Sequence, residues 1–540
     1  MFDYIVVGAG SAGCVIAARL SEDPSVSVLL VEAGGQDTHP YIHMPAGFAK
    51  LLEKNIASWG WSTVPQKHVS NTVYAYPQGK VLGGSSSINA MVYTRGNSWD
   101  YDNWAKTHGC KGWSFKDVLP YFRRAEDNQR LVDKYHSAGG PLGVSDPISP
   151  LPISSAFIRA AQEAGMPYNP DFNGADQFGV GFYQTTTRNA RRCSAAVAYL
   201  RPAISRKNLT VWTRTITHRI VFKNRRAVGI EISRSNSRSK EIINCGSEVV
   251  ITAGALNSPK LLMLSGVGNA DELTKLDIKS VQNLPGVGQN LHDHFDLLLV
   301  AELQGDYSYD KHTRLHKTLA AGLQYILLKN GPVTSNLAEA GGFWKTDRNS
   351  RAADVQYHFM LGSGVESLGR KLQNCGVTLN CAHMLPRSRG TISLASSDTT
   401  AMPLIDPNFW AEEYDRKQLV AGFKKSRDII QQDAFRKLIK GEVLPGPDIK
   451  TNNDIVGNAG RFSKTDYHPV GACKMGNDDL AVVSPKSLFV HGLQGLRVCD
   501  SSIMPQVVAS NTNAATIMIA EKAADLIRLK PQSQLREPAN

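Results

Sequence analysis

The segment "TDYHPVGACKMG", residues 465–476, places His468 five positions before Cys473. An imidazole titrates near neutral pH, so it can act as a general base, as a metal ligand or as the partner of a nucleophilic thiol. His468 could equally be an ordinary packed histidine whose ring is hydrogen-bonded to the backbone. The segment by itself leaves these four interpretations open.

Metal and hydrolytic chemistry have little support elsewhere in the chain. His292 and His294 flank an aspartate in "HDH". Two imidazoles without a third ligand at zinc-like spacing are a weak signal, and we expect no metal. The sequence contains neither G-x-S-x-G nor G-x-x-x-x-G-K, which argues against common serine hydrolases and against P-loop nucleotide hydrolysis.

A nucleotide-binding pattern opens the chain. The run "DYIVV" predicts a strand, Gly8, Gly10 and Gly13 follow as G-x-G-x-x-G, and "CVIAARL" has helical spacing. A second predicted strand, "SVSVLLVE", ends in Glu32, nineteen residues after Gly13. The glycines allow a tight turn and close approach to a pyrophosphate, and the acid accepts hydrogen bonds from ribose hydroxyls. The pattern predicts FAD or NAD rather than NADP, because a carboxylate would repel a 2′-phosphate.

A second glycine- and serine-rich segment, "YPQGKVLGGSSSINAMVYTRG", covers residues 76–96. It resembles the first signature of the glucose-methanol-choline (GMC) flavin oxidoreductases, and "GALNSPKLLMLSGVG" (254–268) resembles the second almost position for position. Segments 285–294, 467–476 and 510–527 resemble further blocks in the family's order. The resemblance therefore spans essentially the whole chain, and it is strongest to the choline-dehydrogenase-like and alcohol dehydrogenase branch.

The resemblance implies an α/β fold, α+β overall, with two domains. A Rossmann-like FAD-binding domain would take residues 1–155, 190–300 and 465–540. A discontinuous substrate-binding domain built on an antiparallel sheet would take residues 156–189 and 301–464.

Local patterns agree with this division. Residues 355–361 and 390–396 have strand patterns, and we expect both in the sheet beneath the substrate cavity. Residues 412–432 have helical spacing with one charged face.

In the resembled family the cofactor is FAD, and we expect non-covalent binding here. Some members attach FAD through a histidine immediately before the asparagine that matches Asn89, and Ile88 stands at that position. Small residues at 83–86 would let the backbone lie against a flavin. The cofactor-binding residues expected from these blocks are Gly8, Gly10, Ser11, Ala12, Gly13, Glu32, Ala33, Gly83, Gly84, Ser85, Ser86, Asn89, Ala90, Met91, Val92, Thr217, Ala253, Asp500, Asn511, Thr512 and Asn513.

The resemblance also selects among the interpretations of His468. Alcohol oxidation by a flavin needs a base for the hydroxyl proton and a donor that holds the developing alkoxide. The family places a histidine base at the position of His468, and a histidine or an asparagine at the position of Asn511. We expect His468 to be the base and Asn511 to bind the substrate oxygen, although Asn511 would also suit the N-cap of the last helix. Cys473 would then be a small packed residue.

The leading hypothesis is FAD-dependent oxidation of a primary alcohol to its aldehyde, by hydride transfer to flavin N5, with electrons passed to a quinone-type acceptor. Within this class the alternative is an oxidase that produces hydrogen peroxide. Asp466, a polar group two residues before the base, favours the dehydrogenase. A different class, an FAD-containing hydroxynitrile-lyase-like enzyme, also stays open because His468 would serve both chemistries.

Composition limits the partners and the compartment. The 540 residues carry a net charge of +12, which does not favour a cationic substrate such as choline, so we expect an uncharged primary alcohol. Lys and Arg are dispersed, so we expect no binding of nucleic acid and at most peripheral attraction to an anionic membrane.

The sequence also limits the compartment. It has no apolar run of eighteen residues, and a predicted strand begins at residue 2, so we expect neither a transmembrane helix nor a leader peptide. Eight scattered cysteines without a CxxC pair favour a cytoplasmic protein, at most peripheral at the inner membrane. Monomer and dimer both stay open.

Overall fold

The computed structural model of the protein describes residues 1–529 except 236–238, 348, 364–371 and 373–374. The strands are β1 Phe2–Val7, β2 Val28–Val31, β3 Trp61–Ser62, β4 Ala75–Tyr76, β5 Glu126–Asn128, β6 Leu142–Val144, β7 Gly179–Phe182, β8 Thr187–Arg188, β9 Arg191–Arg192, β10 Leu209–Trp212, β11 Thr215–Lys223, β12 Arg226–Arg234, β13 Lys240–Ile251, β14 Val267–Gly268, β15 Gln282–Asn283, β16 Phe295–Leu303, β17 Ala340–Trp344, β18 Val355–Met360, β19 Gly376–His383, β20 Thr391–Ser393, β21 Leu404–Asp406, β22 Ile439–Leu444, β23 Ser463–Thr465 and β24 Leu496–Val498. The α-helices are α1 Ser11–Leu20, α2 Pro40–His43, α3 Gly47–Glu53, α4 Ser98–Lys106, α5 Phe115–Ala125, α6 Pro152–Glu163, α7 Arg201–Ala203, α8 Gly254–Leu264, α9 Ala270–Thr274, α10 Leu315–Leu328, α11 Glu413–Ile430, α12 Asn452–Asn458 and α13 Thr512–Arg528.

The first large sheet has the order β10-β2-β1-β13-β12-β11, and β24 pairs with β13. Its central strands are short apolar runs that pair in parallel, and all four residues of β2 are buried, as expected for strands covered on both faces. The long strand β13 changes partners along its length, from antiparallel β12 near residue 240 to parallel β1 near residue 250. This gives a Rossmann-like parallel core with an antiparallel extension.

Helices α1 and α13 pack side by side in the same direction, although they lie about 500 residues apart in sequence. At their N-terminal ends, the Ser11 hydroxyl donates to the Asn513 carboxamide oxygen over 2.7 Å. Two turns further on, Arg19 donates to the buried Glu521 carboxylate over 2.8 and 3.0 Å. Both N-termini therefore lie at the same edge of the sheet, where their unpaired N–H groups favour negative charge.

The second large sheet is antiparallel, with the order β22-β16-β19-β18-β17-β7 and β23 paired to β16. Of the strands predicted for it, residues 355–361 are confirmed by β18. The prediction for residues 390–396 is wrong, because β20 pairs with β21 in a separate two-stranded sheet. A strand pattern predicts extended backbone, but it does not say which strand is the partner.

The predicted fold class is confirmed: a Rossmann-like sheet stands beside an antiparallel one. The domain bounds stay a prediction. The division at 300 falls inside β16, and the C-terminal end at 530–540 lies outside the described residues. Within the described part of the chain, no helix has the length and apolar character needed to cross a bilayer.

Candidate active site

A large cavity lies where the carboxyl ends of the first sheet's strands meet the second sheet. From the first sheet it is lined by the residues that follow β1, β2 and β13, and from the second sheet by His358, Met360 and Asn380. The sequence-predicted site residues that line it are Gly8, Gly10, Ser11, Ala12, Glu32, Ala33, Gly84, Ser85, Asn89, Ala90, Met91, Val92, Thr217, Ala253, His468, Asp500, Asn511, Thr512 and Asn513.

Three predicted cofactor residues, Gly13, Gly83 and Ser86, are not in the cavity lining. A Cβ on Gly13 would lie 1.8 Å from the Gly8 carbonyl oxygen, so this glycine serves the packing of helix on strand. The Gly83 N–H donates to the Ala9 carbonyl over 2.8 Å, and the Ser86 hydroxyl donates to the Gly83 carbonyl over 2.6 Å. These residues support the wall from behind.

The end of the cavity near α1 has the features of a dinucleotide site. No side chain caps the N-terminus of α1, and a Cβ on Gly84 would lie 2.6 Å from the Gly10 Cα, so the two glycine loops touch. The buried Glu32 carboxylate accepts from the Ala9 and Gly34 N–H groups over 2.9 and 2.7 Å, and burial raises its pKa to about 7. The buried Thr217 hydroxyl has no hydrogen-bond partner among the described residues. This set of donors and acceptors fits FAD.

Both carboxylate oxygens of Asp500 accept hydrogen bonds from other residues of the chain. One carboxylate oxygen accepts from the Gly254 N–H over 2.9 Å and from the Ser258 hydroxyl, and the other accepts from the backbone and hydroxyl of Ser502 over 2.9 and 2.6 Å. Burial raises the pKa of Asp500. Its carboxylate therefore anchors the N-terminus of α8 at the cavity wall.

At the other end of the cavity, His468 and Asn511 touch. The Asn511 carboxamide nitrogen lies 3.2 Å from His468 Nε2. The carboxamide oxygen accepts from the Thr94 hydroxyl and the Gln356 amide over 3.0 and 3.1 Å, which orients the nitrogen toward the imidazole. Asn511 does occupy the N-cap position of α13, but its side chain makes no capping bond.

A second histidine sets the tautomer of His468. His294 Nε2 lies 3.2 Å from the Met384 carbonyl, which can only accept, so the proton of this ring is on Nε2. His294 Nδ1 is then a lone-pair acceptor, and it lies 3.0 Å from His468 Nδ1. The His468 proton is therefore on Nδ1, which leaves Nε2 unprotonated beside Asn511.

Burial and a carboxylate act in opposite directions on His468. Burial lowers its pKa to about 4, although the Asp466 carboxylate, 3.2 Å from Nδ1, raises it. Burial raises the pKa of Asp466, but the imidazolium form of His468 and the Lys464 ammonium hold it well below its usual range. At neutral pH the imidazole is thus neutral, and the adjacent Asp466 carboxylate would stabilise its protonated form.

The backbone holds His468 in place as well. Its N–H donates over 2.8 Å to Asp293, whose other carboxylate oxygen accepts from Tyr76 and Thr465. The preceding residue, Tyr467, has a φ of 63°, a left-handed conformation that non-glycine residues seldom adopt. Such conformations persist only where the surroundings enforce them.

His294, Asp466 and His468 converge with ligand-type atoms within 4.8 Å of one another, a spacing that could hold a cation. The proton on His468 Nδ1 and the adjacent carboxylate account for this convergence without one. The other histidine of "HDH" has a different task, since His292 bonds to the Asn290 carbonyl and the Val507 N–H over 2.7 and 2.9 Å. The absence of a metal stays a prediction.

No signal in the sequence links His294 to His468, which lies 174 positions later, so the sequence-based prediction missed its role. Cys473 lies fully buried and is not part of the cavity lining. Burial raises its thiol pKa well above the ordinary value, which argues against a nucleophile.

Comparison with known proteins agrees with this architecture. Two models of the GMC oxidoreductase family match residues 2–296 and 386–520. An alcohol dehydrogenase [acceptor] of Pseudomonas putida is 44% identical over 98% of this chain and 96% of its own length. An oxygen-dependent choline dehydrogenase of Pseudomonas syringae pv. syringae is 41% identical over 98% and 93%. The crystal structure of pyridoxine 4-oxidase from Mesorbium loti superposes with a TM-score of 0.89 at 28% identity, covering 98% of this chain and 100% of that one. The chain belongs to the GMC oxidoreductase family and is an FAD-dependent oxidoreductase.

Proposed function

We propose that the protein oxidises a primary alcohol to its aldehyde, with His468 as the base and a quinone-type electron acceptor. The observation that supports this most directly is the 3.2 Å contact between His468 Nε2 and the Asn511 carboxamide nitrogen at the cavity wall. One atom is an unprotonated acceptor and its neighbour is an oriented donor. Together they suit an alcohol oxygen that loses a proton and gains negative charge.

The chain's own residues handle the proton. His468 Nε2 takes it from the alcohol hydroxyl, and the Asn511 N–H group donates to the oxygen as the charge develops. The imidazolium formed keeps its Nδ1 proton toward His294 and the Asp466 carboxylate, at 3.0 and 3.2 Å. FAD, when bound, supplies the acceptor for the hydride that leaves the carbinol carbon.

The cavity suits an uncharged alcohol better than choline. Phe48, Leu52, Ala338 and Met360 form apolar parts of the wall. A trimethylammonium group would need an unengaged carboxylate or an aromatic cage. Of the carboxylates in the lining, Glu32 and Asp500 accept from backbone N–H groups, and Asp466 lies between the Lys464 ammonium and His468. None of these offers a free anion to a cationic substrate, and the Trp59, Trp61 and Tyr467 rings of the lining already face the Lys80, Lys260 and Lys464 ammonium groups.

The proposed function is tested by the rate at which an alcohol bleaches the flavin without oxygen. The rate is measured for the wild type and for two variants in residues 465–476. We expect a good alcohol to bleach the wild-type flavin, and His468→Ala to bind FAD but bleach roughly 10²–10⁴-fold more slowly. Cys473→Ser, a control in the same segment, should retain most of the rate. Release of an aldehyde without bleaching would instead indicate the lyase chemistry.

The pH profile tests the buried imidazole. Because the neutral form of His468 is the active one and its pKa lies at about 4, kcat/KM should stay flat from pH 8 to pH 6 and fall only toward pH 4. Asp466→Asn removes the charge that raises this pKa. The acid limb should therefore move to lower pH, while kcat falls at least about tenfold because the imidazolium loses its counter-ion. A lower kcat with an unmoved limb would mean that Asp466 has only a packing role.

Substrate class and acceptor are tested in one assay. A panel of uncharged aliphatic and aromatic primary alcohols, read with a quinone-like dye, should give kcat/KM at least about tenfold above that of choline. Peroxide formed per turnover in air should be far below one. Preference for choline would contradict the reasoning from the engaged carboxylates, and stoichiometric peroxide would identify an oxidase.

We further propose that FAD is held without a covalent bond. Ile88 is buried at the cavity wall and has no nucleophilic atom to offer to a flavin. Acid precipitation of the yellow protein should therefore leave the colour in the supernatant. A pellet that keeps flavin absorbance after washing would show a covalent link elsewhere in the chain.

A further inference from the structure

Helix α10, Leu315–Leu328, exposes an unusual number of large apolar side chains. The exposed fractions are 75% for Leu315, 65% for Leu319, 58% for Leu323, 61% for Ile326, 68% for Leu327 and 65% for Leu328. Surface helices of globular proteins normally present polar residues outward. In α10 the outward side is the apolar one.

Five of these six residues form one continuous stripe. At 3.6 residues per turn, the side chains of Leu315, Leu319, Leu323, Ile326 and Leu327 lie within about one third of the helix circumference. The buried residues Ala321 and Tyr325 lie on another side of the helix, and the Tyr325 hydroxyl donates to the Ala190 carbonyl over 3.1 Å. The helix is therefore attached to the protein by a narrow face. We call the five outward residues the α10 stripe.

Within residues 311–330 every charged side chain is positive. Residues 311–330 include Lys311, Arg314, Lys317 and Lys329 and contain no Asp or Glu. Lys317 lies 3.5 Å from the Asp306 carboxylate, whereas Arg314 and Lys329 flank the two ends of the helix and are exposed. An apolar stripe bordered by Lys and Arg is the pattern of helices that lie in a membrane interface.

We propose that the α10 stripe docks on the surface of an anionic phospholipid bilayer. The leucine and isoleucine side chains would enter the boundary between headgroups and acyl chains, while the flanking cations meet lipid phosphates. With fourteen residues, α10 is too short to span a bilayer and would lie along its surface. The chemistry of the proposed occupant follows from apolar area and positive charge together.

A second copy of the chain fits these observations less well. A twofold interface pairs a surface patch with itself. Two α10 stripes in contact would bring the Lys and Arg residues of both copies together, without an acidic residue in 311–330 to balance them. Anionic lipid headgroups supply the negative charge that segment 311–330 of a second copy lacks.

A backbone contact links the end of α10 to the wall of the cavity. The 3₁₀ turn that follows α10, Pro332–Thr334, presents the Val333 carbonyl to the Ala46 N–H over 3.1 Å. Ala46 directly precedes α3, which contributes Phe48 and Leu52 to the cavity wall. The docking helix is thus connected to the cavity wall through α3; a supply of lipid-dissolved alcohols and quinones would rest on the proposed function, whereas docking itself does not.

Vesicle binding of the full-length holoenzyme tests the proposal without using turnover. Co-sedimentation is measured at low ionic strength with vesicles of phosphatidylcholine alone and of phosphatidylcholine and phosphatidylglycerol in equal amounts. We expect binding to the anionic vesicles that weakens with salt. Leu319→Gln, Leu323→Gln and Ile326→Gln combined should lower the partition coefficient by roughly tenfold or more, and Arg314→Gln with Lys329→Gln should lower it about fivefold per charge on anionic vesicles only.

The matched control replaces three exposed apolar residues elsewhere, Ile242, Leu404 and Leu480, with glutamine. It should bind vesicles like wild type, and flavin content should show that every variant is folded. Failure of wild type to bind anionic vesicles, or equal binding by the stripe variant, would overturn the proposal. A wild-type dimer in light scattering that dissociates in the stripe variant, without vesicle binding, would assign the stripe to a second copy. None of these results depends on whether the enzyme oxidises alcohols.

Discussion

The active site depends on the pairing of α1 with α13. A carboxylate that is fully buried, that of Glu521, lies between Arg19 and Arg124 and also accepts from the Tyr199 hydroxyl over 2.8 Å. A buried charge is tolerated only when it is paired and hydrogen-bonded, so this contact admits few alternative alignments of the two helices. Their register then brings Ser11 to Asn513. The nucleotide-binding turn at the start of the chain and Asn511 near its end meet in one cavity as a result.

Within that cavity, burial also changes the pKa of His468. An imidazole taken out of water loses affinity for a proton, and a nearby carboxylate restores part of that affinity. In His468 burial prevails, so the ring is neutral at neutral pH, and Asp466 favours its protonated form once a proton arrives. The Met384 carbonyl determines which nitrogen is free, through His294. The unprotonated nitrogen of His468 is thus selected by a backbone acceptor two contacts away.

At α10, apolar side chains are exposed on the outer surface of the protein. In both cores the apolar side chains are covered by other parts of the chain, whereas the α10 stripe is covered by none of the described residues while positive charges border it. Apolar area left open in this way indicates an external partner rather than a packing defect. The turn that follows α10 contacts Ala46, and the next helix, α3, contributes Phe48 and Leu52 to the cavity wall.

The sequence by itself determined whatever depends on local spacing. The G-x-G-x-x-G turn, the acid at Glu32 and the two long GMC-like segments identified the family and the cofactor, and most of the site residues predicted from such blocks do line the cavity. These features lie within single segments, where backbone geometry needs particular residue types at particular intervals. His468 and Asn511 were predicted from the family's blocks, and the structure places them in contact.

Only the tertiary structure decided the relations between distant segments. It showed that His294, rather than His292, lies next to His468. It showed that β20, residues 391–393, lies outside the large antiparallel sheet. It also showed that three predicted cofactor residues, Gly13, Gly83 and Ser86, do not line the cavity. It also showed that the leucines of α10 face outward, although the same spacing would predict a helix packed on a core. The physical reason is common to all of these cases: a local pattern determines the conformation of its own segment, whereas burial, tautomer and partner depend on which other segment comes to lie against it.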